Sequence, residues 1–181
     1  MSYGILNIDM LNDFVNEKGA LYVPEAQGTV SNIIELQNRV ANLENVFSYF
    51  CQDWHSENDP EFSIWGKHAV KNTWGSEFIP ELVPFVDKKR VVKKLRYDPF
   101  YETDLQAKLW NDKISKIIVV GTVSNICVLA AVHSAALRWY DVIVPLDCIS
   151  SLDTTGMEIA KHQITNVYGA KVVDFQKEIN F

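Results

Sequence analysis

Cys127 lies in GTVSNICV, residues 121–128, where an apolar run breaks into a polar turn and a second apolar stretch begins. A free cysteine is most often a small buried hydrophobe, so any chemistry has to be argued from what surrounds it. Three other polar stretches follow apolar runs in the same way: Asp9 in NIDMLNDF, Asp53-Trp54-His55, and Lys94 with Arg96 in VVKKLRYDPF. A thiol near a helix start is stabilised as an anion by the free N–H groups and dipole there, and a lysine beside it is expected to lower its pKa further. An aspartate within hydrogen-bond reach could then take the proton and return it. Asp9, Lys94 and Cys127 are therefore a candidate nucleophilic triad. The competing reading is a turn-capping Asp9, a solvated Lys94 and a packed Cys127. Cys51 and Cys148 are read as inert core thiols.

Asp53 and His55 stand two apart at a strand end, so their side chains leave the same face. His68 could complete a three-ligand site with open positions. Mixed imidazole and carboxylate donors suit zinc, iron or manganese better than calcium. Taken alone, a D-x-H pair is a weak signal, and an ordinary surface is the better reading of it. His133 and His162 fall inside helical patterns and are read as structural.

These residues need a scaffold that gathers positions far apart in sequence. Short apolar runs at 4–8, 46–51, 90–93, 116–120, 142–146 and 171–174 read as strands, and their continuity suits burial on both faces of a parallel sheet. Helical patterns occupy about 28–43, 103–112, 125–139 and 154–167. The alternation predicts a three-layer α/β/α domain with a mostly parallel six-stranded, Rossmann-like sheet. Ligands of such sheets bind outside the carboxyl ends of the strands, which is where the reactive residues fall. Residues 54–88 break the rhythm: they hold Trp54, Trp65, Trp74, His55 and His68 without a clear period. A connection of that length inside a compact domain is usually functional.

With 181 residues, 48% hydrophobic and 22% charged, the chain is expected to form one domain over 1–181. A net charge of -6 without a Lys/Arg-rich run argues against nucleic acid and anionic membrane as partners. No signal-peptide pattern, no membrane-length apolar run and three cysteines without metal or redox spacing point to a cytoplasmic setting.

The ordered set of motifs resembles the isochorismatase-like cysteine hydrolases, and within them the nicotinamidase branch, over residues 4–174. Asp9 in DMLNDF, Lys94 in KLRYDPF and Cys127 in GTVSNICV match that family's catalytic aspartate, lysine and nucleophile. DWHSENDPEF followed by WGKHAVKNTWGSEF is similar to the segment that supplies its metal ligands, which implies Asp53, His55 and His68, with zinc expected and iron or manganese as alternatives. The resemblance also implies Phe14 and Trp65 against a substrate ring, with Tyr97 adding to that wall. It further implies a cis peptide between Thr122 and Val123 that brings the Val123 and Cys127 N–H groups together as an oxyanion hole.

Leu11, Ala69 and Asp98-Pro99 depart from the family pattern, and Asp98 would add a carboxylate near the pocket. The activity implied is hydrolysis of a small-molecule amide through a thioester, nicotinamide to nicotinate foremost, by a homo-oligomer. An N-carbamoylsarcosine amidase, with Arg96 pairing a substrate carboxylate, is the alternative. A non-catalytic binding module that retains the fold is the third reading.

Overall fold

The computed structural model describes residues 1–175. Its strands are β1 (Ser2–Ile8), β2 (Val46–Asp53), β3 (Val91–Lys94), β4 (Ile114–Thr122), β5 (Asp141–Pro145), β6 (Ile149–Ser150) and β7 (Lys171–Val173). The helices are α1 (Asn12–Val15), α2 (Ala26–Val40), α3 (Phe62–Trp65), α4 (Leu105–Asn111), α5 (Leu129–Leu137) and α6 (Thr154–His162). The strands form one sheet in the order β3-β2-β1-β4-β5-β7, and β6 pairs with the end of β4. Every pairing is parallel.

The continuous apolar runs arise because each central strand feeds two cores. Ile5 of β1 and Ile118 and Val120 of β4 pack with Ile33, Leu36 and Val40 of α2. Leu6 and Ile8, with Ile117 and Val119, pack against Leu105 and Leu109 of α4 and Ala131, Val132 and Ala135 of α5. At about 25 cal/mol per Å² of apolar surface removed from water, burial on both faces is the dominant favourable contribution to this sheet. Cys51 and Cys148 are fully buried, one in each core, and neither is disulfide-bonded.

The six expected strands are all present, with β4 longer at both ends than the 116–120 run. The two-residue β6 has no sequence counterpart. Two expected helices are divided: residues 124–128 form a single wide π turn before α5, and 163–167 form another after α6. The aperiodic stretch holds α3 and two single 3₁₀ turns, Trp74–Ser76 and Val83–Phe85, and a third, Lys88–Arg90, starts at its end. Among the described residues, no helix is long and apolar enough to cross a membrane.

Candidate active site

The sheet register assembles the site. Ile8, the last residue of β1, lies level with Cys51 on one side and Gly121 on the other, while Asp53 lies level with Lys94. Asp9, Asp53, Lys94 and Thr122 therefore emerge side by side from four adjacent strands. Gly121 makes the closure of this edge feasible: its φ is 115°, and a Cβ there would sit 2.1 Å from the Ile8 carbonyl oxygen. Asp9 itself takes a left-handed backbone with φ 51°, a conformation Asp tolerates better than most residues.

Lys94 is the hub. Its Nζ lies 2.7 Å from Asp9 Oδ2, 2.5 Å from Asp53 Oδ1 and 3.6 Å from Cys127 Sγ. The other Asp9 oxygen accepts the Asp53 backbone N–H at 3.0 Å. An oxygen of Asp9, an oxygen of Asp53 and the Cys127 sulfur all lie within 4.8 Å of one another. Asp9 is 1% exposed and Lys94 1%, so these charges act on each other with little water between them.

Burial, then the neighbouring Asp53, raises the Asp9 pKa to about 7 against the pull of Lys94. Asp53 goes the other way, to about 2: burial opposes its ionisation, but Lys94 and His55 outweigh it. Lys94 is held firmly protonated, since Asp53, Asp9 and Cys127 overcome its desolvation. The thiol departs from the expectation of a lowered pKa. Burial pushes Cys127 well above its ordinary value, and Asp9 and Asp53 add to this against Lys94. The resting group is a thiol, and its proton has to leave as the sulfur attacks, toward a carboxylate poised near neutrality.

Asp53, His55 and His68 come together as expected, with one ligand atom of each within 4.8 Å of the others. His55 is fully buried: its Nδ1 faces Asp59 Oδ2 at 3.2 Å, whereas its Nε2 makes no hydrogen bond. His68 Nδ1 donates to the Gly66 carbonyl at 2.8 Å, which leaves Nε2 as its free donor atom. That is the arrangement a metal-ligating histidine adopts. A buried His55 Nε2 without a hydrogen-bond partner, an ionised Asp53 and a fixed His68 therefore fit a divalent cation. Burial also lowers the His68 pKa, keeping its ring neutral, the form that can ligate.

Sequence reasoning missed Glu61, whose Oε1 stands 3.9 Å from His55 Nε2 and 4.0 Å from His68 Nε2. It follows Asp59-Pro60 in the aperiodic segment, just before α3, and the DPE triplet was its only signal.

The pocket beside Cys127 is a cavity of about 30 Å³ lined by Asp9, Asp53, Glu61, His68, Thr122, Val123 and Cys127 on its polar side. Phe14, Trp65 and Tyr97 line the same cavity, with Leu21, Val23, Ile126 and Leu152. Trp65 Nε1 donates to the Tyr97 hydroxyl at 2.9 Å, tying α3 to the segment after β3. The Thr122–Val123 peptide is cis.

Arg96 does not line this pocket. It is held outside by Asp59, with Nη1 3.1 and 3.2 Å from the two carboxylate oxygens. Strand β3 ends at Lys94, so the alternation that would have put Arg96 on the same side as Lys94 stops there. Asp98 is likewise engaged elsewhere, accepting from the Ser134 hydroxyl at 2.6 Å and the Phe100 N–H at 2.8 Å.

Residues 3–177 match the family model for the isochorismatase domain. Among solved structures, an isochorismatase-like hydrolase from Alkaliphilus metalliredigens is 32% identical with a TM-score of 0.91, covering 98% of this chain and 97% of that one. An N-carbamoylsarcosine amidase from Thermoplasma acidophilum is 30% identical with a TM-score of 0.87 and full coverage of both chains, 100% and 100%. A pyrazinamidase/nicotinamidase from Streptococcus mutans UA159 is 26% identical with a TM-score of 0.88, covering 95% of this chain and 100% of that one.

Proposed function

The chain belongs to the isochorismatase family of hydrolases, and on that premise we propose that it is a cysteine amidohydrolase for a small neutral carboxamide, nicotinamide foremost. The observation that carries this reading is the Lys94 ammonium shared by Asp9 at 2.7 Å and Cys127 at 3.6 Å on the wall of an aromatic pocket.

In the first half-reaction Asp9 takes the Sγ proton of Cys127 as the sulfur attacks the carboxamide carbon. A C–S bond forms and the carbonyl electron pair moves onto oxygen. The Val123 and Cys127 N–H groups are assigned to that oxyanion, where one such donor is worth roughly 3 kcal/mol. Lys94 offsets the negative charge on sulfur during attack. Asp9 then gives its proton to the amide nitrogen, the C–N bond breaks and ammonia leaves. In the second half Asp9 takes a proton from water as its oxygen attacks the thioester. The C–S bond breaks, the carboxylic acid is released and Cys127 regains its proton. A pKa near 7 suits Asp9 to both directions of transfer.

Asp53, His55 and His68, with Glu61 beside them, would hold a divalent cation, zinc by its donor set. Such a cation supplies a Lewis-acidic anchor for a ring nitrogen and so orients the substrate. Phe14, Trp65 and Tyr97 bound the ring.

The amidase of N-carbamoyl amino acids is the second reading, and the 30% identity to the Thermoplasma amidase over the full chain favours it. Against it stands the charge of the wall. Asp9, Asp53 and Glu61 line the pocket, Lys94 is already shared, and Arg96 is taken by Asp59 outside it. Among the described residues that line the pocket none is an arginine or lysine, so an anionic substrate would depend on the bound cation for its charge partner.

The test is ammonia release from nicotinamide and from N-carbamoylsarcosine by zinc-loaded protein, with His68→Ala as a metal-depleted comparison. Release from nicotinamide alone is expected. Release from the carbamoyl compound alone would move the substrate to the second reading. Release from neither, with Cys127 alkylated by iodoacetamide no faster than Cys51 or Cys148, would overturn the enzymatic reading.

A further inference from the structure

Two carboxylates, Asp59 and Glu61, stand beside the Asp53, His55 and His68 cluster, and they face it differently. Glu61 lines the pocket on the side of the histidine Nε2 atoms. Asp59 sits behind His55, with Oδ2 3.2 Å from Nδ1, and one of its oxygens also accepts the Glu61 backbone N–H at 3.0 Å. By distance alone Asp59 could ligate: His55, Asp59 and Glu61 also offer atoms that lie within 4.8 Å of one another. Its place is fixed from outside by Arg96, whose Nη1 reaches both Asp59 oxygens and lies 3.9 Å from Glu61 Oε2. Asp59 is 6% exposed, whereas the Arg96 side chain is 40% exposed, so the charge that neutralises this inner carboxylate enters from the protein surface.

We propose that Arg96 and Asp59 are a positioning pair for the cation site: Asp59 presents an acceptor to His55 Nδ1, which leaves Nε2 for the cation, and Arg96 keeps Asp59 from turning inward as a competing ligand. This proposal rests on the metal reading of Asp53, His55 and His68 and is independent of the substrate. The geometry supports each part. Asp53 Oδ2 and Glu61 Oε1 lie 3.6 and 3.9 Å from His55 Nε2, so the nitrogen opposite Asp59 is the one that faces the other donors. Among the described residues Arg96 is the one lysine or arginine within 4 Å of Asp59, and its Nη1 bridges both carboxylate oxygens, which fixes the orientation of that carboxylate. Partners of this kind, one layer behind the ligands, change metal affinity by about 10- to 100-fold.

The experiment is zinc affinity by competition with a chromophoric chelator, together with the visible absorption spectrum of the cobalt-substituted protein. Wild type, Asp59→Asn, Arg96→Met, the double variant, Arg96→Lys and His68→Ala are compared, with thermal melting to confirm folding. The expected result is zinc binding weakened about 10- to 100-fold in Asp59→Asn. Arg96→Met is expected to show a smaller loss and an altered cobalt spectrum, with Arg96→Lys between it and wild type. The double variant should be no weaker than Asp59→Asn, because Arg96 acts through Asp59.

Wild-type zinc affinity in Asp59→Asn or Arg96→Met, beside a weakened His68→Ala, would overturn this proposal alone. So would multiplicative losses in the double variant. Zinc binding that is absent in wild type or unchanged in His68→Ala would overturn the metal reading, and this proposal with it.

Discussion

Replacing Lys94 by Met keeps the length of the side chain and removes the one ammonium that two buried carboxylates share. Asp9, at 1% exposure, and Asp53, at 3%, would then face each other without compensation. Removing one member of a buried ion pair costs roughly 3–5 kcal/mol. At about 2–4 °C per kcal/mol for a chain of this size, the melting temperature should fall by about 6–20 °C.

The loss should depend on pH, and its sign follows from the direction of the shifts. Asp9 is already raised to about 7 with Lys94 present, by burial and by Asp53. Without Lys94 it rises further, and Asp53 loses the partner that holds it low despite burial. A carboxylate with a raised folded pKa stabilises the fold below its unfolded value and loses that contribution as pH rises through the folded one. The gap between variant and wild type should therefore be smaller at about pH 5 than at about pH 8. Thermal denaturation across that range, with chelator present so that cation occupancy does not enter, measures it. A melting temperature within about 2 °C of wild type at both pH values would refute the buried-pair argument.

Cys127→Ala should leave the fold and zinc binding intact and abolish ammonia release; turnover above background would exclude the thioester route. The kcat/KM for an amide should fall as pH drops below about 7, because burial and Asp53 raise Asp9 to that value and its protonated form cannot accept the thiol proton. A flat profile from about pH 5.5 to 8 would remove Asp9 as the base. Gly75→Ala should destabilise by about 1–3 kcal/mol, since overpacking shifts its neighbours. The added Cβ would sit 2.0 Å from Asp13 Oδ2, the atom that accepts the Ala69 N–H next to His68. Urea unfolding and zinc affinity should both register that change, and wild-type values in both would argue against it.

The strand ends were legible because their apolar runs are buried on both faces and stop where polar residues begin. Asp9, Asp53, Lys94 and Cys127 could be placed on one edge from that pattern alone. Glu61 could not, because α3 and its neighbours follow no period and one carboxylate among several carries no signal. Arg96, offered as a partner for a substrate carboxylate, lies outside the pocket because β3 ends at Lys94 and the chain beyond it turns the guanidinium to Asp59. The Cys127 pKa was misjudged because sequence shows the nearby lysine and the helix start. It does not show that burial and two aspartates outweigh them. The two residues of β6 are too few to form a pattern.

The acidic wall has a bearing on turnover as well as on entry. In the proposed reaction a neutral guest is converted to an anion while still enclosed by Asp9, Asp53 and Glu61. A cation held by Asp53, His55 and His68 would offset that negative charge, so the wall repels the outgoing carboxylate in the metal-free site and tolerates it in the loaded one. Affinity for the product should accordingly rise with cation occupancy, and binding of the carboxylic acid to metal-free and zinc-loaded protein measures that difference.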